Sequence, residues 1–128
     1  MTRVLLIALG GGIGSVLRYL CTTVVHQFYG AIFPAGTLVA NVLGSFAIGL
    51  LWVYSDRFAF SRDVRIFIFV GILGGFTTFS SFAMETLNLL HDRQITLAAT
   101  NVLGTNILCL LACYAGFMAG GFLTNRMR

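Results

Sequence analysis

The chain has 128 residues, of which 58% are hydrophobic and 9% charged, and its mean hydropathy is +0.92. Soluble domains carry about 25% charged residues, so this composition excludes a water-soluble globular fold and predicts a protein of the lipid bilayer. The formal net charge of +4 comes from arginines scattered at the ends of apolar segments. Such a distribution is typical of interfacial anchoring and argues against a nucleic-acid partner.

Four apolar stretches are each long enough to cross the membrane, which takes about 20 apolar residues per helix. The predicted spans are residues 4–25, 35–54, 64–90 and 95–123. Pro34 directly precedes the second span, near the position where its missing N–H group leaves no helical bond unmade. We therefore predict an all-α membrane protein in which residues 1–128 form a single domain of four transmembrane helices.

The size of this domain limits where a transport path can run. Four helices packed about 8 to 10 Å apart fill their own centre with side chains. A single chain then has no aqueous lumen, so a path would lie between protomers or along a helix surface. An oligomer is therefore expected.

The arginines are distributed unevenly between the two sides of the membrane. With an even number of spans, Arg18 and Arg93 fall on one side and six arginines on the other. The six are Arg3, Arg57, Arg62, Arg65, Arg126 and Arg128. Because cytoplasmic loops are enriched in basic residues, this count favours both termini in the cytoplasm.

Two predicted spans carry polar residues at intervals of four. The stripes are Thr37, Asn41 and Ser45 on the second span, and Asn101, Thr105 and Cys109 on the fourth. Residues four apart share one helix face, so each set forms a continuous polar stripe. Single Ser, Thr and Asn residues more often join helices by hydrogen bonds. Two matched stripes, each with an asparagine, favour a polar path instead.

The third span is expected to be broken near its middle. Residues 74–82 read Gly-Gly-Phe-Thr-Thr-Phe-Ser-Ser-Phe, a poor sequence for a helix centre. Unwound backbone at membrane depth occurs where it is buried in protein or lines a cavity, and its carbonyls commonly hold a cation. The alternative is that Gly71, Gly74 and Gly75 only permit close helix contact.

Aromatic and hydroxyl side chains alternate in this segment. Phe79 and Phe82 would share a face of a helical continuation, and their ring edges carry partial positive charge that stabilises an anion. Neutral hydroxyl donors such as Ser81 replace water around a dehydrating anion. The alternative is that both phenylalanines are core or lipid-facing residues.

Two charged residues stand out within the spans. Glu85 is the only acid there, and it is either a proton or ligand site or a group near the interface. Arg18 either extends to the interface or gives a vestibule positive potential. Gly10 and Gly14 lack the full spacing of a dinucleotide fingerprint and instead fit a helix-packing face.

Three motifs together resemble the Fluc (CrcB-type) fluoride channel family, and the resemblance covers essentially the whole chain. They are the 74–82 segment, Gly36-Thr37-Leu38 with Asn41 and Gly44, and Gly-x-Gly-x-x-x-Arg at 12–18. The resemblance implies a multi-pass protein of the inner (plasma) membrane that is not an enzyme. Its implied function is passive export of cytoplasmic fluoride, which confers fluoride resistance.

The resemblance also implies an assembly and a set of site residues. Two copies would pair antiparallel as a dual-topology homodimer with two pores near the subunit interface. Phe79 and Phe82 would contact fluoride, and Asn41 would be a pore-lining donor. The backbone carbonyls of Gly74 and Thr77 would hold a structural sodium ion at the dimer axis.

The fourth-span stripe falls where the family has a polar track. Cys109 is a departure if a hydroxyl group is usual there. The arginine imbalance also fits a chain of dual topology poorly. Either Asp56 and Asp63 weaken the bias, or the chain has a fixed orientation and requires an oppositely oriented paralogue.

The sequence also allows other functions. A small proton-coupled multidrug transporter is also a four-helix, often dual-topology protein, but it needs an embedded carboxylate, expected in the first span, and Glu85 is the sole candidate. In a non-transporting assembly subunit, the polar stripes would serve packing only. The sequence offers no nucleophile–base pair or metal-ligand set, so an enzyme is not predicted.

Overall fold

The computed structural model describes residues 1–29 and 32–126, which form helices joined by short connections. The elements in chain order are α1 (Thr2–Phe28), α2 (Ala35–Arg57), α3 (Arg62–Arg65), a π-helical segment (Ile66–Leu73), α4 (Gly74–Phe76), α5 (Phe79–His91) and α6 (Ile95–Arg126). Residues 30 and 31 of the predicted first loop, and Arg128 of the predicted cytoplasmic set, lie outside the described residues.

Four helical spans are long and apolar enough to cross a membrane. They are Thr2–Phe28, Ala35–Arg57, Arg62–His91 and Ile95–Arg126, the third of which comprises α3 to α5. Each extends beyond the corresponding predicted span by one helical turn or less. The prediction of an all-α protein with four membrane-spanning helices is confirmed.

Helix α1 packs closely against the π-helical segment and α4. Gly10 and Gly14 are buried in this contact. A Cβ atom on Gly10 would lie 2.7 Å from the carbonyl oxygen of Phe67, and one on Gly14 would overlap the carbonyl oxygen of Ile72. The predicted packing face of Gly10 and Gly14 is therefore confirmed, because only glycine permits this approach.

The most extensive helix contact joins α2 and α6. A Cβ atom on Gly49 would overlap the Cys113 carbonyl oxygen, and one on Gly116 would overlap the Phe46 carbonyl oxygen. The two backbones therefore touch without intervening side chains. This contact places the polar stripes of both helices beside the third span.

Charged pairs join the start of the third span to its neighbours. The Arg65 guanidinium donates to the Asp56 carboxylate at 2.7 Å and to the Ser55 carbonyl oxygen at 3.0 Å. Arg3 pairs with Asp63 at 3.1 Å. Two of the six arginines predicted on one side of the membrane, Arg3 and Arg65, are therefore paired with acids.

The third span is interrupted at Thr77 and Thr78. Thr77 has φ −83° and ψ 153°, and Thr78 has φ −150° and ψ 112°, so both are extended. Helix α4 ends at Phe76, and α5 begins at Phe79 with Thr78 as its N-cap. The predicted break is present at the paired threonines.

Candidate functional site

A cleft of about 450 Å³ opens beside the interruption of the third span. It is lined by residues of α2, the third span and α6. The predicted residues that it brings together are Asn41, Ser45, Gly74, Thr77, Phe79, Phe82, Thr105 and Cys109. Three separate spans therefore contribute to one site.

Asn41 connects α2 to the interrupted backbone. Its Oδ1 accepts a hydrogen bond from the Thr78 N–H at 2.8 Å, and its Nδ2 donates to the Thr78 carbonyl at 3.0 Å. Both residues are buried. The Asn41 amide thus satisfies two backbone groups that an unbroken helix would satisfy internally, and its second Nδ2–H is not used in these two bonds.

The two threonine hydroxyl groups of the break bond the helical segments on either side of it. Thr78 Oγ1 accepts from the Ser81 N–H at 3.2 Å and donates to Ser81 Oγ at 3.1 Å. Thr77 Oγ1 donates to the Leu73 carbonyl at 3.0 Å. Ser81, predicted in the fluoride path, does not line the cleft and instead belongs to the N-terminal cap of α5.

These bonds occupy the two N–H donors that a continuous helix would supply to the carbonyls predicted to hold sodium. In a continuous helix, the Gly74 carbonyl would accept from the Thr78 N–H, and the Thr77 carbonyl from the Ser81 N–H. Here the Thr78 N–H donates to Asn41 Oδ1 instead, and the Ser81 N–H donates to Thr78 Oγ1. The donors that a continuous helix would supply to both carbonyls are therefore diverted.

Two phenylalanine rings form a pair on the cleft wall. The Phe79 and Phe82 ring centroids lie 5.1 Å apart with an interplanar angle of 52°. Phe82 is only 6% exposed, whereas Phe79 is 74% exposed. Because the rings are tilted, the pair presents ring edges as well as faces.

The predicted stripe on α6 is split between the cleft and the protein interior. Thr105 and Cys109 line the cleft, but Asn101 is 1% exposed and lies behind the wall. Asn101 Nδ2 donates to Thr86 Oγ1 at 2.9 Å, and its Oδ1 accepts from Thr105 Oγ1 at 3.3 Å. Thr86 in turn donates to the Phe82 carbonyl at 2.8 Å. Asn101 therefore supports the Phe82 wall rather than facing the cleft.

The buried Thr37 and the partly buried Glu85 form a second polar pair outside the cleft. Thr37 Oγ1 donates to Glu85 Oε1 at 2.6 Å. Glu85 Oε2 is buried and has no hydrogen-bond partner among the described residues. Thr37, predicted in the fluoride path, therefore binds the acid instead of lining the cleft.

Arg18 lies away from the cleft on α1. Its side chain is partly buried and makes no salt bridge within residues 1–29 and 32–126. The proposed vestibule role of Arg18 stays a prediction.

Three residues of this region with polar or sulfur-containing side chains were not predicted from the sequence. Asn106 and Cys113 line the cleft, and Thr86 supports its wall. Asn106 lies on the helix line next to the Thr105–Cys109 stripe, so a stripe at intervals of four does not include it, whereas Cys113 continues that stripe by one turn. The available signal was the position of Asn106 beside Thr105 and of Cys113 one turn beyond Cys109.

The fold and this site define a small multi-pass membrane protein with polar groups gathered around a helix broken at membrane depth. Residues 5–117 match the family model described as CrcB-like protein, Camphor Resistance (CrcB). The chain therefore belongs to the CrcB family, as its motifs indicated.

Curated relatives align over nearly their full length. The chain is 48% identical over 122 residues to the fluoride-specific ion channel FluC of Opitutus terrae, covering 93% of this chain and 92% of that protein. It is 45% identical over 120 residues to the protein of the same name from Geobacter sulfurreducens, covering 93% and 97%. For the one from Parabacteroides distasonis, the values are 43% over 120 residues, with 94% of each chain covered.

Proposed function

We propose that this protein is a fluoride-selective channel of the plasma membrane that lets cytoplasmic fluoride leave by passive electrodiffusion. The observation that carries this proposal is the convergence of the Phe79–Phe82 pair, Asn41 and Thr105 on one cleft beside a broken helix. Relatives of nearly equal length are named fluoride-specific ion channels. The activity is therefore transport, and the protein is not an enzyme.

The chemistry of the cleft suits a small anion that has lost its water. None of the described residues that line the cleft is acidic, so no fixed negative charge repels fluoride there. The second Asn41 N–H and the ring edges of Phe79 and Phe82 offer partial positive charge. Neutral groups replace hydration without the full positive charge that would trap the ion.

A proton-coupled multidrug transporter is less well supported. Its exchange cycle would require a carboxylate that reaches both substrate and proton. Glu85 is held by Thr37 outside the cleft, which places it poorly for direct exchange with a substrate there. We propose instead that Glu85 and Arg18 tune the potential at the mouths of the fluoride path.

We further propose that two copies assemble antiparallel. Phe79 is 74% exposed, and Asn106 is exposed beside it on the cleft, so a second protein surface would complete the path. Pairing of Asp56 with Arg65 and of Asp63 with Arg3 lowers the local positive charge that would fix one orientation. These pairs favour a homodimer over assembly with an oppositely oriented paralogue.

A reporter on the C-terminus of the chain expressed alone tests this assembly. We expect accessibility from both sides of the membrane, together with fluoride efflux. One-sided accessibility without efflux would contradict the homodimer and indicate a paralogue partner.

A structural sodium ion is proposed at the carbonyls of Gly74 and Thr77. Because the Thr78 and Ser81 N–H groups bond Asn41 and Thr78, these oxygens lack their helical donors and would suit a hard cation, which prefers oxygen ligands. Bound sodium would supply positive charge and link the two interrupted helices. We expect replacement of sodium by N-methylglucamine to lower the thermal stability of the purified protein, and an unchanged melting temperature would contradict the site.

The main function is tested in vesicles that contain the purified protein and are loaded with either fluoride or chloride. We expect an ion-selective electrode to record rapid fluoride efflux and chloride release no faster than from protein-free vesicles. Equal rates for the two halides, or no fluoride efflux, would contradict the proposal. Proton-driven movement of cationic drugs that is lost in Glu85→Gln would favour the transporter instead.

A further inference from the structure

Two cysteines lie one helical turn apart on the wall of the cleft. Cys109 and Cys113 are both partly exposed free thiols on α6, and both line the cleft. Side chains at this spacing lie on one helix face with Cβ atoms about 5–6 Å apart. Cys21, the remaining cysteine, is on α1 and does not line the cleft.

We propose that Cys109 and Cys113 form a two-thiolate binding site for a soft, two-coordinate monovalent cation of the copper(I) and silver(I) class. Thiolates select soft metal ions. No group of three or more His, Cys, Asp or Glu side chains suited to a metal occurs in the described part of the chain. A four-ligand zinc site is therefore not available here, and linear coordination by two sulfurs suits the pair.

Binding changes the charge of the cleft without any redox step. Each thiol releases its proton as its sulfur bonds to the metal, so one monovalent cation and two thiols give a complex of net charge −1 and two free protons. Thr105 lies one turn before Cys109 on the same wall. The complex therefore places both bulk and negative charge beside the neutral donors of the cleft.

Metal binding is expected to block the channel, and this consequence rests on the proposed function. An anion approaching a wall that carries a fixed negative charge is repelled, and the bound metal narrows the space at the same point. We expect metal occupancy to slow fluoride efflux. The site thus links fluoride permeation to exposure to thiophilic metals.

Metal binding is measured independently of transport by titrating silver nitrate into the purified full-length protein in chloride-free detergent buffer. We expect one high-affinity silver ion per chain, with two protons released. Cys109→Ser and Cys113→Ser should each weaken this binding at least about tenfold, because the second thiol of the pair acts at high effective concentration. Cys21→Ser is the matched control and should retain the high-affinity site.

Three results would overturn the site. They are unchanged affinity in both Cys109→Ser and Cys113→Ser, loss of high-affinity binding in Cys21→Ser, and a stoichiometry of one silver ion per two chains. The last result would place the thiols of two copies around one ion rather than the pair within one chain.

The regulatory consequence is measured as fluoride efflux with and without one equivalent of silver, relative to each variant's own metal-free rate. We expect strong slowing in the unmodified protein and in Cys21→Ser, but little change in Cys113→Ser. Bound silver with undiminished efflux would overturn the block. Absence of efflux before any silver is added would instead contradict the proposed function, while the titration would still decide the metal site.

Discussion

The side-chain amide of Asn41 pairs with both backbone polar groups of Thr78 and so closes the gap in the third span from a neighbouring helix. Exposed backbone groups at membrane depth are strongly unfavourable, and the pair removes two of them. One side chain thus stabilises the interruption and lines the cleft. The integrity of the break and the chemistry of the site therefore depend on the same residue.

Replacing Asn41 by alanine is expected to destabilise the protein. Both Thr78 groups would lose buried hydrogen bonds, and each unsatisfied group costs about 1–3 kcal/mol. We expect the free energy of unfolding to fall by about 2 kcal/mol or more in detergent. Asn106→Ala is the matched control, because Asn106 is exposed and its side chain donates to the Val102 carbonyl of its own helix. Equal stability of the two variants would contradict the role of Asn41.

Removal of either ring of the aromatic pair is expected to slow fluoride efflux. An isoleucine at position 79 or 82 keeps most of the apolar volume but removes the ring edges. A ring contact contributes about 0.5–1.5 kcal/mol. If this energy is lost from the ion's path, each of Phe79→Ile and Phe82→Ile should reduce the efflux rate about 2- to 10-fold. Efflux is measured at equal protein incorporation. Phe46→Ile, outside the cleft, is the control. A similar fall in efflux in this variant would contradict a specific role of the Phe79–Phe82 pair.

Much of the fold could be predicted from the sequence because its signals are local. Four apolar stretches define the spans, and the Gly-Gly and Thr-Thr pairs mark the interruption between α4 and α5. The four-residue spacing of Gly10 and Gly14 also predicts the close helix packing that the structure shows. The π-helical form of the segment before Gly74, which packs against α1, could not be predicted, since no residue type specifies it.

Glycines at helix crossings provide a stability test with an internal control. Gly14→Ala and Gly49→Ala would each drive a methyl group into the backbone of a neighbouring helix, at Ile72 and Cys113. Overpacking of this kind costs about 1–3 kcal/mol or more. No atom lies within 4 Å of a Cβ built on Gly12 in α1, so Gly12→Ala should leave the melting temperature unchanged or slightly higher. Melting temperatures that fall equally at all three positions would contradict the packing described.

The contribution of the partly buried Glu85 to stability should depend on its threonine partner. Thr37→Val preserves shape but removes the donor to Glu85 Oε1, while Oε2 already lacks a partner among the described residues. We expect the free energy of unfolding at neutral pH to fall by about 1–3 kcal/mol. Thr100→Val is the control, because the exposed Thr100 hydroxyl bonds the backbone of its own helix. A loss no larger than that of the control would show that the pair does not stabilise the fold.

The sequence predicts which residues form the site better than it predicts the role of each one. Spacing along a helix indicates which residues share a face, but hydrogen-bond partners depend on how helices meet. Thus the stripes predict Asn101 and Thr37 in the path, whereas these side chains bond Thr86 and Glu85 and do not line the cleft. Asn41 lines the cleft as expected, yet its pairing with Thr78 depends on an inter-helix geometry that periodicity does not contain.

The most direct test of the account is fluoride efflux through Asn41→Asp. Aspartate retains an oxygen to accept the Thr78 N–H bond but introduces a negative charge into the cleft. Asn88→Asp adds the same charge at an exposed position of α5 outside the cleft and is the control. We predict that fluoride efflux per folded protein falls at least about tenfold in Asn41→Asp, equivalent to about 1.4 kcal/mol, and stays near the unmodified rate in Asn88→Asp. An unchanged rate in Asn41→Asp would contradict a fluoride path through this cleft.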